Sequence, residues 1–147
     1  MPRQTIAAQW PRSAIVVVAV CLALAFAAPA VRAACPLQNE APMLIVTLYF
    51  GETIPNKPPL TAKQWADFTA KIITPAFPDG FTVSDGQGQW MDPRTKTIGH
   101  EATKILTVAA EDTPALGPKI DHVIAAYRQD FGQESVGITT TNACGTF

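Results

Sequence analysis

Two cysteines, Cys35 and Cys144, stand near the two ends of the stretch that has the composition of a folded domain. A bond between them would need Cα atoms within about 7 Å. The start of the first strand would then lie beside the end of the last. It would also need an oxidising compartment. Two free thiols, the alternative, would impose neither condition. The third cysteine, Cys21, falls in an N-terminal apolar run.

That run predicts export. Arg3 and Arg12 precede apolar residues from Ala14 to Ala28, and Val31-Arg32-Ala33 forms a small-residue cleavage pattern ahead of Ala34. This is the layout of a secretory signal, with cleavage expected after Ala33. The stretch from Ala14 to Val31 approaches the length of a membrane span, so a retained anchor is the alternative, and Pro29 with the cleavage pattern favours removal. Lipidation at Cys35 is disfavoured, because Arg32 stands where a lipobox wants an aliphatic residue. The expected mature chain, residues 34–147, is therefore one domain, periplasmic or secreted from a bacterium.

Loss of residues 1–33 removes three arginines and no acid, leaving 8 Lys+Arg against 12 Asp+Glu, a formal charge of −4. A protein that reads phosphate needs a cationic stripe, and these basic residues are scattered singly among acids. Nucleic acid is excluded as an expected partner, and so is a membrane surface after signal cleavage. A chain of this length buries one core and not two.

Hydrophobic period and turn residues divide the domain. Met43 to Phe50 is an unbroken apolar run ended by Gly51, rich in β-formers, and reads as a strand. Thr61 and Gln64 form a capping box, and Trp65, Phe68, Ile72 and Ile73 recur on one helical stripe until Pro75 and Pro78. Pro78-Asp79-Gly80 is a turn, and Phe81 to Trp90 alternates as a second strand. A loop, Asp92 to Gly99, leads to a third strand, Ala102 to Ala109. Ile120, Val123, Ile124, Tyr127 and Phe131 mark a second helix ending at Gly132. Val136 to Thr141 is the last strand. The order β-α-β-β-α-β predicts an α+β ferredoxin-like sandwich, a four-stranded antiparallel sheet with both helices on one face. In that topology the last strand lies beside the first, which brings Cys144 to Cys35.

The first strand is apolar on both faces, although helices should cover only one. A second copy of the same sheet, closing a dimeric α/β barrel around a cavity, is the leading explanation. The other is a central strand that carries extra apolar residues beneath a loop.

Several segments resemble one family. They are Leu48-Tyr49-Phe50-Gly51, Phe77-Pro78-Asp79-Gly80-Phe81-Thr82-Val83, Asp85-Gly86-Gln87-Gly88-Gln89-Trp90, Glu101 with Lys104, and Phe131-Gly132-Gln133-Glu134-Ser135-Val136. Together they look like the bacterial domain-of-unknown-function family 3574, whose members are small exported or lipoprotein-like chains. The resemblance spans nearly the whole mature chain and implies no reaction. His100 stands where the family pattern leads one to expect an arginine before the glutamate.

The densest chemical signal is Asp85-Gly86-Gln87-Gly88-Gln89-Trp90. Two glycines spaced two apart in a strand clear one face for a ring, a backbone or a ligand, while Gln87 and Gln89 share the opposite face. A twisted edge strand plugged by Trp90 explains the same residues without a ligand. The expected ligand-binding set is Tyr49, Gln87, Gln89 and Trp90. For acid-base chemistry the candidates are His100, Glu101, Asp85, Tyr49 and Tyr127, with Glu101 and His100 foremost; these two alternate across a strand and so share a pocket only if the strand begins after His100. A salt bridge from Lys104 across the strands is the competing structural role. No metal-ligand spacing, phosphate loop or nucleophile elbow is present, so neither metal nor cofactor is expected. The functions in play are a non-catalytic module that dimerises or binds a small polar or aromatic ligand, a cofactor-independent enzyme of the dimeric α/β-barrel type, and an interaction protein of the cell envelope.

Overall fold

The computed structural model describes residues 35–146. The expected signal segment and its cleavage point, residues 1–33, lie outside the described residues. β1 (Ala41–Gly51) leads to helix α1 (Ala62–Phe68), then β2 (Thr82–Met91), β3 (Ile98–Ala110), helix α2 (Leu116–Phe131) and β4 (Gly137–Gly145). All strand pairs are antiparallel and the sheet order is β2-β3-β1-β4, the expected four-stranded topology. Each ladder keeps one continuous register.

That order brings the ends of the domain together. Pro42 on β1 pairs with Cys144 on β4, and Cys144 is bonded to Cys35 with 5.6 Å between Cα atoms. The disulfide closes a separation of 109 residues.

Helix α1 begins as its capping box requires. Thr61 Oγ1 accepts from the Gln64 amide at 3.2 Å, and the Gln64 side chain accepts from the Thr61 amide at 3.0 Å. After Phe68 the helix widens into a π turn, Thr69–Ile73, followed by one α turn, Thr74–Ala76. Pro75 accounts for the widening. It has no amide hydrogen to give to the carbonyl four residues back, and its ring would crowd that carbonyl in a regular α-helix. Helix α2 ends at Gly132, whose φ of 63° is the left-handed cap that favours glycine.

The core is built on one face of the sheet. Val46, Leu48 and Phe50 from β1 and Leu106 and Val108 from β3 meet Phe68 and Ile73 below the first helix and Val123, Tyr127 and Phe131 from α2. Phe50, Trp65, Phe68, Tyr127 and Phe131 form an edge-to-face cluster, with the Phe50 and Tyr127 centroids 4.7 Å apart. Such ring pairs add about 1 kcal/mol each beyond the area they bury.

Two strand boundaries lie four residues from expectation, and the others within two. β3 begins at Ile98 rather than Ala102, because Asp92 closes the hairpin tightly by accepting from the amides of Arg94 and Thr95. β4 runs to Gly145 rather than Thr141, held by Leu44 and Met43 at the start of the apolar run and by Pro42 and Ala41 ahead of it. Polar residues in both places follow their paired neighbour instead of their own pattern.

Candidate functional site

Pairing in register assigns every sheet side chain to a face. One face carries the core. The other, which no helix covers, presents Met43, Ile45, Thr47, Tyr49 and Gly51 from β1, Glu101, Thr103, Ile105, Thr107 and Ala109 from β3, Ser84, Gly86, Gly88 and Trp90 from β2, and Thr139 and Thr141 from β4. Glu101 is the one charged side chain among these positions.

Glycines flatten this face. A Cβ on Gly99 would lie 2.6 Å from the Trp90 ring, and one on Gly86 would lie 2.8 Å from Ile105 Cδ1. A Cβ on Gly137 would press on the Tyr49 ring at 3.3 Å. Each side chain therefore lies down over the glycine of a neighbouring strand instead of standing upright. Gly88 is different. A Cβ there would meet nothing closer than 3.5 Å, the Glu101 carbonyl and Thr103 Oγ1. A notch is left at Gly88, directly opposite Glu101 in the ladder and two residues from Trp90.

The Glu101 carboxylate leans from β3 across β1 and occupies the space above Gly51. Its Oε1 accepts from the Thr53 amide at 2.9 Å, whereas Oε2 has no hydrogen-bond donor among the described residues.

Beneath Glu101, on the core face, a second group of polar residues fixes the same corner. Lys104 lies opposite both Phe50 and Asp85, bonds the Asp85 carboxylate and sits 3.4 Å from Glu52. Its pKa is raised, first by the Asp85 hydrogen bond, against the effect of burial. Tyr127 donates its hydroxyl to the Gly51 carbonyl at 2.8 Å, and Gln133 donates to the Thr53 carbonyl. Burial, followed by the charges of Glu52 and Glu101, pushes the Tyr127 pKa well above the ordinary tyrosine range. Four of the segments singled out in the sequence thus converge on Gly51–Thr53. Their residues there are Gly51, Asp85, Glu101 with Lys104, and Gln133.

The expected ligand-binding set does not come together. Tyr49 and Trp90 lie on the open face, 38% and 50% exposed. Gln87 and Gln89 pair with Ala102 and His100 on the opposite face and are exposed there. Strand parity separates them, so no single pocket holds all four. Because β3 already includes residue 98, Glu101 and His100 also point to opposite faces. Lys104 makes the expected cross-strand ion pair, with Asp85. Sequence reasoning missed Glu52, Thr53 and the role of the Tyr127 hydroxyl. A glutamate directly after the strand-ending Gly51 was the available signal.

The fifth singled-out segment, Phe77 to Val83, lies in part elsewhere. Phe77 to Gly80 line a cavity of about 460 Å³ at the disulfide end of the sheet, with Val108 and Leu116 beneath. Its charged neighbours Asp79, Glu111 and Lys119 are exposed, and none of the polar side chains that line it is buried. Nothing in its floor would orient a ligand. Among the described residues there is also no group of three His, Cys, Asp or Glu able to hold a metal ion. No described helix is long and apolar enough to cross a membrane.

The profile of a protein family of unknown function, DUF3574, matches residues 46–147. Among solved structures the chain is similar to a phage SAM lyase in complex with S-methyl-5′-thioadenosine, at 16% identity and a TM-score of 0.54, over 71% of this chain and 90% of that one. The same phage enzyme in its apo state matches at 16% identity and a TM-score of 0.54, over 69% of this chain and 81% of that one. This likeness is one of fold. No curated protein matches the chain.

Proposed function

This chain belongs to the DUF3574 family of proteins of unknown function, and from that premise we propose that it is a self-associating, non-catalytic module that holds a small ligand between the open sheet faces of two copies. The observation that carries the reading is the charge pattern. A face formed by four strands displays a single charged side chain, Glu101, in a chain with 12 Asp+Glu and 11 Lys+Arg. Depletion of charge with exposed aromatic rings is the composition of an interface centre. Four strands about 4.8 Å apart and some eight residues long offer about 500 Å² of planar area per copy. Two copies would therefore bury about 1,000 Å², the lower bound for a specific interface. Concentration-dependent light scattering on the purified, oxidised protein tests this. A dimer is expected in the micromolar range, and a monomer at all concentrations would overturn the reading.

A second reading has one observation in its favour. The fold is that of a phage SAM lyase, and Glu101 has an unpaired carboxylate oxygen on the open face. If this chain were such an enzyme, incubation with S-adenosylmethionine would release S-methyl-5′-thioadenosine faster than buffer does, and chromatography would detect it. The module reading expects no turnover. We place the protein outside the cytoplasm, a reading supported by the Cys35–Cys144 bond and by the signal-like N-terminus. Cell fractionation checks it.

A further inference from the structure

The two edges of the sheet are built differently. The order β2-β3-β1-β4 leaves β2 and β4 each with one flank unpaired. Such a flank is a row of free backbone donors and acceptors, a template for another strand, and chains commonly blunt it with charge, proline or a bulge. β2 carries the Asp85 charge and is broken up by Gly86 and Gly88. β4 has none of these devices. The run Gly137-Ile138-Thr139-Thr140-Thr141-Asn142-Ala143 holds no charge and no proline, and the register of β4 on β1 is unbroken from Gly137 to Gly145. Residues 137–142 are exposed, and among the described residues no backbone group of this strand bonds outside the β1 ladder. The helix layer also stops short of it. Ile138 and Thr140 stand on the helix side, opposite Leu48 and Val46, yet Ile138 is 46% exposed while those two are buried.

The residues of this edge select its partner. Cys144 is tied to Cys35, so the unencumbered run is Gly137 to Ala143, with Thr140 at its midpoint. Antiparallel pairing of that run with itself sets Thr140 against Thr140, Thr139 against Thr141, Ile138 against Asn142 and Gly137 against Ala143. Threonine pairs across strands are favourable, and no like charges meet. A charged peptide would find no complementary charge here, whereas the run matches itself. We infer that β4 is a docking edge for a second copy of this chain, the two β4 strands pairing antiparallel about a two-fold axis at Thr140 to form one continuous sheet. That axis stands perpendicular to the sheet, so both helix layers stay on one side and both open faces on the other. Edge pairing therefore uses a different surface from the face-to-face contact proposed above, does not depend on it, and doubles the width of the open face.

Thr140 provides the test, because its side chain lies on the helix side and away from the open face. Light scattering up to millimolar concentration compares the oxidised native protein with Thr140→Lys, Ile105→Arg and the double variant. A lysine at 140 would meet its own copy on the axis, like charge against like, and should weaken edge pairing at least tenfold. Ile105→Arg should leave an edge dimer, and the double variant should be a monomer. Cysteine substitution reads the register. Directly opposed residues of antiparallel strands have Cα atoms about 4.5 to 5.5 Å apart, within reach of a disulfide. Thr140→Cys combined with Ile105→Arg should therefore give a covalent dimer in oxidised glutathione. Ile138→Cys in the same background should not, since the two copies of that residue are offset by about 13 Å along the strands. A Thr140→Lys protein that assembles like the native one, a monomeric Ile105→Arg protein, or equal linking at 138 and 140 overturns the edge inference and leaves the face-to-face reading standing. Loss of assembly in Thr140→Lys with none in Ile105→Arg upholds the edge and overturns the face-to-face reading. A native protein that is monomeric at every concentration overturns both.

Discussion

The Glu101 carboxylate lies where a side chain on Gly51 would have to be. A Cβ at residue 51 would approach Glu101 Oε2 to 2.5 Å, while Oε1 accepts the Thr53 amide at 2.9 Å. The glycine that ends β1 thus makes room for a group from β3, and that group anchors the residues leaving β1. Gly51→Ala should push the carboxylate aside and release the Thr53 amide. The lost hydrogen bond predicts about 1 kcal/mol of destabilisation, read as a fall of a few degrees in the thermal midpoint with faster amide exchange at Thr53. In a Glu101→Ala background the same substitution should cost much less, since the two residues act through one contact.

Tyr127 predicts a loss of stability at alkaline pH. It is completely buried, donates to the Gly51 carbonyl, and its pKa is raised above 10.0 by burial and by the nearby carboxylates. Above the unfolded pKa the folded state holds a proton that the unfolded state has released, so stability is complete below about pH 10 and falls as pH rises beyond it. The slope from this group approaches about 1.4 kcal/mol per pH unit. Tyr127→Phe should remove that part of the slope and should be about 1 kcal/mol less stable at neutral pH for want of the hydrogen bond. Urea unfolding at pH 7, 10 and 11 would measure both. The raised pKa of Lys104 acts in the same direction in both proteins, so the difference between them isolates the tyrosine.

The Cys35–Cys144 bond closes a separation of 109 residues. Chain entropy sets an upper value near about 5 kcal/mol for a loop of that size. Reduction, or replacement of both cysteines by serine, should lower stability by about 2 to 5 kcal/mol. The urea midpoint should fall with reductant in the native protein and stay constant in the double variant.

Topology was legible because the cues for it are local. Thr61 with Gln64, Pro78-Asp79-Gly80 and Gly132 each announce an element boundary through their own backbone chemistry. The apolar stripes then place helices and strands in an order that also joins Cys35 to Cys144. The π turn was not legible, since Pro75 marks a disturbance without saying how the helix absorbs it. The site was legible in parts. The glycines at 86 and 88 indicate a cleared face, and Glu101 and Lys104 stand out as charges within an apolar strand. Grouping Gln87 and Gln89 with Trp90 fails on the alternation that their own segment displays, whereas the face of Tyr49 relative to them depends on the register from β2 through β3 to β1, which no single segment reveals. The convergence on Gly51–Thr53 joins residues up to 80 positions apart, a relation that only the folded chain displays.

Ile105 and Gln87 provide a matched pair for the proposed interface. Ile105 lies on the open face with its Cδ1 over Gly86, whereas Gln87 is exposed on the opposite face of the neighbouring strand. An arginine at 105 would stand upright above a flat apolar surface and meet its own copy across a two-fold axis, placing two like charges in a layer otherwise stripped of charge. An arginine at 87 adds the same charge to the chain on the side that faces water. If two sheets meet face to face, Ile105→Arg should weaken self-association at least a hundredfold and Gln87→Arg should leave it within a factor of two or three. Light scattering gives the assembly and far-ultraviolet circular dichroism confirms that both variants remain folded. The contrast separates the interface from net charge alone, because both variants shift that charge equally. Equal loss in both would refer the effect to charge, and no loss in either would mean that the open face is not where the copies meet.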